Sequence, residues 1–176
     1  MKFLFISPRY SGGIGGHAEM LANQLENAGH SVTKMKAPHI PIKNLKNPSF
    51  AIFGTMKGML NRENYDIVHA FNVPSAFAMR YAKGKKKILS IHGMFSEQVN
   101  SLHSKAVSSI ASNTESKVLK WPNKLTTDSI EYVSVLNNVV STNLKLSLFK
   151  GSHLLSVDLH IFSLFLHSEA EKIVHN

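Results

Sequence analysis

Four glycines in five positions, Gly12, Gly13, Gly15 and Gly16, stand between a short apolar run and a stretch with helical spacing. The run before them, Lys2 to Ser7 (KFLFIS), has the length and composition of a strand buried on both faces. After them Ala18, Leu21, Ala22 and Leu25 recur at the spacing of one helix face, and Gly29 with His30 supplies a stop signal. A helix start carries N–H groups with no partner inside the helix, and the positive end of its dipole. Glycine lets an anion or a sugar hydroxyl come close to those groups. Gly13, Gly15, Gly16 and His17 are therefore expected to contact a ligand, through a phosphate or a sugar hydroxyl. The alternative is a tight strand-to-helix turn that binds nothing.

The alternation continues along the chain. Ser31 to Lys36 reads as a second, more exposed strand, and Pro38, Pro41 and Pro48 mark a loop. Phe50 to Leu60 is predicted helical despite two glycines. Tyr65 to Phe71 (YDIVHAF) is a strand, Ser75 to Ala82 a helix, and Lys86 to His92 (KKILSIH) another strand. A helical region over Ser96 to Lys120 and a short strand over Asn123 to Thr127 follow. This order predicts an α/β fold, a Rossmann-like parallel sheet with helices on both faces. Ligands then sit beyond the carboxyl ends of the strands: the glycine loop, Asn72 to Pro74, His92-Gly93 and Asp128-Ser129.

Composition divides the chain. All six prolines and nine of ten glycines precede residue 130. That part has seventeen basic and seven acidic side chains, a balance of +10, while the remainder has three and four, a balance of −1. A domain over 1–129 and a divergent tail over 130–176 are expected, the tail reading as the product of a truncated or interrupted frame. The formal charge of +9 suits anionic partners such as phosphorylated substrates or a membrane surface. The basic run Lys83 to Lys87 has no interleaved aromatics, and no nucleic-acid motif is visible, so nucleic acid is not expected. The absence of cysteine excludes disulfides and thiol chemistry and fits a reducing compartment. No stretch has the length of a signal peptide or a membrane span. The ten histidines show no metal-ligand spacing, and no metal is expected.

Gly13-x-Gly15-x-x-Ala18 matches the dinucleotide fingerprint in form. That fingerprint wants an acidic residue at the end of the second strand, where this chain has Lys34, Met35 and Lys36. NAD is disfavoured; an NADP-dependent oxidoreductase is the second reading, its 2′-phosphate met by lysine. A P-loop pattern is missing.

Four blocks, in order, carry a more specific likeness: SPRYSGGIGGHAEMLANQLENAGHSV, YDIVHAFNVPSAFAMRYA, KKILSIHG and NKLTTDS. Together they resemble the N-terminal, acceptor-binding lobe of retaining GT-B glycosyltransferases of the group 1 type (family 4). The resemblance covers Met1 to about Ser129. It implies transfer of a hexose from a nucleotide-diphosphate sugar to an acceptor hydroxyl, with no resident cofactor or metal. It implies a cytoplasmic enzyme, with contact to the inner face of the membrane through the basic run and a lipid-linked or free sugar acceptor. His92 takes the place of the family histidine near the donor sugar, so it is the candidate catalytic residue. Arg9, Tyr10 and Asn72 take acceptor-facing places. The second histidine of the family's "HAH" strand is Phe71 here. His69 reads as a core histidine. The donor lobe's Glu-x7-Glu segment does not occur, so the chain is expected to be inactive alone or to pair with a separate donor lobe.

Overall fold

The computed structural model describes residues 1–8, 10–37, 40, 42, 46–92, 105–127 and 145–148. In chain order these form β1 (Lys2–Ile6), α1 (Gly13–Asn27), β2 (Ser31–Met35), α2 (Lys46–Leu60), β3 (Asn64–Ala70), α3 (Val73–Tyr81), β4 (Lys83–Ile91), α4 (Lys105–Val118), β5 (Lys124–Thr127) and β6 (Lys145–Leu148). The strands make one parallel sheet in the order β2-β1-β3-β4-β5-β6.

Strand side chains alternate between two cores, as the period of two requires. Phe3, Phe5, Ile67 and Ile88 pack with Ala18, Leu21, Ala22 and Leu25 of α1 on one face. Leu4, Ile6, Val68, Ala70, Leu89 and Ile91 pack on the other with Phe50 of α2, Ala76, Ala78 and Met79 of α3, and Val118 of α4. Helices therefore cover both faces, and the α/β reading holds. Phe3 and Phe5 are fully buried, and such burial stabilises by about 1.5–3 kcal/mol for each ring.

Gly29 ends α1 as the sequence suggests. Its φ of 84° turns the chain out of the helix, while its N–H and that of His30 bond back to the carbonyls of Glu26 and Leu25. That double bond pattern satisfies carbonyls the helix end would leave open.

Two local expectations need correction. Pro48 does not mark a loop: it sits in the first turn of α2, which begins at Lys46, where its missing N–H has no intrahelical acceptor to lose. β4 begins at Lys83, three residues before the predicted start at Lys86, so the basic run Lys83–Lys87 is its amino half. There Lys85 pairs with Asp66 at 2.9 Å, and the Lys87 ammonium donates to the Arg80 carbonyl at 2.6 Å. Burial and the neighbouring Arg80 hold the Lys87 pKa below its ordinary value. One further strand, β6, pairs with β5 in the same sheet.

The two glycines of α2 have a packing reason. A Cβ at Gly58 would stand 2.5 Å from the carbonyl oxygen of Ala78, and one at Gly54 would stand 3.4 Å from the Ala78 Cβ. Small residues on this face let α2 approach the backbone of α3. Of the other expected features, Pro38, Pro41, the region 93–104, Asp128, Ser129 and the apolar tail segment 154–166 lie outside the described residues.

Candidate functional site

The sheet order reverses direction between β1 and β3. The chain leaves β1 through α1 to β2 on one side, and leaves β3 through α3 to β4 on the other. In open parallel sheets, ligands bind outside the carboxyl ends of such a strand pair.

The glycine loop enters this place. Gly12 has φ 61° and Gly13 has φ 45°, a region where side chains with a Cβ are strained. Gly12 is the N-cap of α1 and supplies no side-chain cap, and the first turn holds no acidic residue. The Gly16 N–H bonds to the Gly12 carbonyl at 3.0 Å and closes the first turn. The N–H groups of Gly13, Ile14 and Gly15 precede that bond and have no carbonyl within the helix to meet. A Cβ at Gly12, Gly13 or Gly16 would have nothing within 4 Å, so the space over the helix start is open. Gly15 is buried beneath it.

His17 and His92 meet beside this opening. Their ring centroids are 5.3 Å apart with planes at 68°. His92 follows the last residue of β4, and His17 lies one turn into α1. Both edges close on an aromatic group: Phe71 is 6.5 Å from His17, and His69 stacks on Phe71 at 4.1 Å. Phe5 packs edge-on against His69 and Phe71 at 5.4 and 5.0 Å.

His69 is fully buried, and the core reading of it agrees with its position. Its Nε2 shares a hydrogen bond with the Ser90 hydroxyl at 2.7 Å, and Ser90 shares another with the Thr126 hydroxyl at 2.6 Å. Burial, with smaller contributions from His17 and His92, holds its pKa well below the ordinary histidine value. At neutral pH it is therefore an uncharged ring, able to donate through one nitrogen and accept through the other. The row His69–Ser90–Thr126 ties β3, β4 and β5 together directly beneath the strand ends.

The sequence did not mark Ser90, Thr126 or Phe71 as part of this arrangement. The signal was present in the alternation. In β3 and the residue after it, Ile67, His69 and Phe71 are two apart, as are Ile88, Ser90 and His92 in β4 and the residue after it. Ser90 stands opposite Thr126 in the β4–β5 register.

Tyr10 and Asn72 are held in structural contacts. The Tyr10 hydroxyl lies 2.7 Å from the Phe5 carbonyl and 3.0 Å from that of Met35, so it braces the carboxyl ends of β1 and β2. Burial, the largest cause, raises its pKa far above the usual phenol value. Asn72 caps α3: its Oδ1 accepts from the Ser75 N–H at 2.8 Å and from the Ser75 hydroxyl at 2.6 Å. Only its amide NH₂ remains to serve a ligand. Arg9 lies outside the described residues.

Where a dinucleotide's ribose would lie, at the end of β2, Lys34 pairs with Glu19 at 2.7 Å and Met35 is buried. Lys36 places its ammonium 5.9 Å from the Tyr10 ring centre. Among the described residues, no group of three or more histidines and carboxylates is arranged to hold a metal ion. No helix among them is long and apolar enough to cross a membrane.

No family model matches the chain, and no curated protein is significantly similar to it. The functional reading therefore rests on the residues and their geometry.

Proposed function

We propose that the chain is the acceptor-side lobe of a retaining GT-B glycosyltransferase, which moves a hexose from a nucleotide-diphosphate sugar to an acceptor hydroxyl. The observation that carries this reading is the meeting of His17 and His92, 5.3 Å apart, beside a glycine-built helix start with open space over it. Three of the four sequence blocks that resemble this family contain the residues that follow β1, β3 and β4, around that place. In this reading the N–H groups at the start of α1 meet an anionic or hydroxyl oxygen, and His92 donates to or accepts from an oxygen at the reacting sugar. His69, neutral and buried, positions Phe71 and the β4 end rather than touching substrate.

The oxidoreductase reading is less well supported. The dinucleotide fold extends its sheet two strands beyond β1 on one side, in the order 3-2-1-4-5-6. Here β2 is the outer neighbour of β1, and the chain returns through α2 to β3 on the opposite side. Lys34, the nearest candidate for a 2′-phosphate, is already paired with Glu19.

Across these 176 residues no two glutamates stand in Glu-x7-Glu spacing, so the leaving diphosphate would be gripped by a donor lobe from elsewhere. These residues alone are expected to give no turnover with labelled nucleotide sugars, because most of the charge stabilisation of the leaving group would be absent. The resemblance implies a cytoplasmic enzyme, and the proposal assigns the chain to that compartment.

Histidine-edited NMR tests the site. Titration with a panel of nucleotide sugars and sugar acceptors should move the His17 and His92 ring resonances and leave His30 unchanged. NADPH should move neither and should show no saturable change in fluorescence. Saturable NADPH binding, or indifference of both rings to every sugar ligand, overturns the reading.

A further inference from the structure

Two lysine-rich segments, far apart in the sequence, lie side by side at the end of the sheet away from the glycine loop. Residues 80–87 read RYAKGKKK and residues 117–124 read KVLKWPNK, eight basic side chains with no Asp or Glu among them. Backbone and ring contacts hold the two together. The Asn123 N–H donates to the Lys87 carbonyl at 2.8 Å, and the Lys87 N–H donates to the Asn123 Oδ1 at 2.7 Å. The Arg80 guanidinium lies 4.5 Å from the Trp121 ring centre, and Phe77 meets the same ring edge-on at 5.1 Å. Arg80, Tyr81, Lys83, Lys85, Lys117 and Lys120 are exposed. Lys83, Lys85 and Lys87 are two apart in β4 and so share one face of the sheet, the face on which Lys87 reaches the Arg80 carbonyl of α3. β4 is nine residues long, which puts Lys83 roughly 30 Å from His92.

Cations gathered in this way favour an anionic partner, and their chemistry narrows the choice. Nucleic acid fits poorly. Single strands are held by a succession of open ring faces, and arginine forks serve phosphate best. Seven of these eight cations are lysines, and Trp121 already has Arg80 over it and Phe77 at its edge. A bilayer takes in apolar groups as well as charge, and the aliphatic residues between these cations, Ala82, Val118 and Leu119, are buried. A second copy would bring the same cations, and the segment after residue 130 carries four acids against three bases. Carboxylates on a separate protein match the surface. They meet lysine ammonium groups as point charges, and one guanidinium that two rings already hold, Trp121 at 4.5 Å and Tyr81 at 5.9 Å. An arginine fixed beforehand loses less rotamer freedom on binding.

We propose that Arg80, Lys83, Lys117 and Lys120 form a docking surface for an acidic segment, rich in Asp and Glu, of a partner protein. The surface lies at the amino end of β4, so an occupant leaves the strand-end site open. It does not depend on the glycosyltransferase reading.

Fluorescence anisotropy of the full chain with fluorescein-labelled dodecaglutamate tests it. Binding should be saturable, and raising the ionic strength from about 0.05 to about 0.3 M should weaken it roughly tenfold. The triple substitution Lys83→Gln, Lys117→Gln, Lys120→Gln should lower the affinity at least tenfold, each exposed pair contributing up to about fivefold. A control with the same loss of charge elsewhere, Lys36→Gln, Lys57→Gln, Arg62→Gln, should lower it by less than about threefold. Trp121 is the chain's one tryptophan and stands within the surface, so its emission should change as unlabelled peptide is added to the parent and the control, and stay constant in the triple variant. All three residues of the triple variant are exposed, so its urea midpoint should match the parent; if it does not, Lys83→Gln and Lys120→Gln alone decide the matter, each at roughly threefold. The proposal is overturned if the triple variant binds like the parent, or if the control weakens binding equally, since net charge alone would then explain it. It is also overturned if oligouridylate of the same charge, or phosphatidylglycerol vesicles, bind these lysines more tightly than the glutamate peptide does.

Discussion

Replacing Gly58 by alanine should destabilise the fold, and the same replacement at Gly16 should stabilise it. Both residues lie in helices and neither has positive φ, so alanine gains helix propensity of about 1 kcal/mol at each. The surroundings decide the sign. At Gly16 the new methyl meets nothing within 4 Å. At Gly58 it would stand 2.5 Å from the Ala78 carbonyl oxygen, 3.2 Å from its carbon and 3.3 Å from its Cα. These are backbone atoms that cannot rotate away, so α2 must lift off α3. Overpacking of this kind costs about 1–3 kcal/mol, and the upper part of that range applies where backbone is struck. Gly58→Ala should therefore lose a net of about 1–2 kcal/mol, and Gly16→Ala should gain about 0.5–1 kcal/mol. Urea unfolding followed by Trp121 fluorescence and by helical ellipticity measures both. With slopes of about 1–3 kcal/mol per molar urea, the two midpoints should part by roughly 1 M, at unchanged slope. A Gly58→Ala chain as stable as the parent would refute the close approach of α2 to α3. Gly16→Ala carries a second readout. Its methyl enters the space over the helix start, so sugar-ligand binding should weaken while stability rises, a combination that a purely structural turn would not give.

Stability should fall as the solution is acidified below the ordinary histidine pKa. His69 is held neutral by burial in the fold, whereas the unfolded chain takes up its proton near pH 6.5, so acid favours the unfolded state. One such group gives a slope of up to about 1.4 kcal/mol per pH unit between the unfolded and folded values, and His69→Gln should flatten it in urea titrations at a series of pH values. Tyr10→Phe removes the brace across β1 and β2 and should cost about 1 kcal/mol by the same denaturation measurement, with ligand affinity unchanged if the hydroxyl is only a brace. Asn72→Ala removes the α3 cap and should cost about 1 kcal/mol, while Asn72→Asp, which keeps an acceptor oxygen, should restore most of it.

The fold through β5 was legible because its elements carried their own local signals, whereas β6 was not expected. KFLFIS announced a buried strand by composition, and the Ala18–Leu25 spacing announced the face α1 would bury. The misreadings arose where a local rule met a tertiary contact. Pro48 breaks helices in their interiors but is harmless in a first turn, and the chain used it there. Glycines at 54 and 58 lower helix propensity, yet their absence of side chains is what seats α2 on Ala78. β4 starts earlier than the apolar run suggests, because Asp66 and the Arg80 carbonyl receive the Lys85 and Lys87 ammonium groups from β3 and α3.

The site was only half legible, for a different reason. A sequence can mark a strand end, because glycine, asparagine or histidine follows an apolar run. It cannot say which strand ends are neighbours. His17 and His92 are far apart in the chain and adjacent in space only because β3 lies between β1 and β4 and all three run in one direction. The same register sets Ser90 between His69 and Thr126. With β3 at another place in the sheet, every local signal would be the same and the two rings would not meet. Substitutions that preserve each strand but shift its register should therefore abolish the pairing without unfolding the domain. A two-residue insertion at the Asn61–Glu63 turn, which keeps the inward and outward alternation of β3, is the least disruptive form of that test. If the His17 and His92 ring resonances still respond together to sugar ligands in a folded chain with altered β3 register, the strand-end geometry is not what brings them into one site.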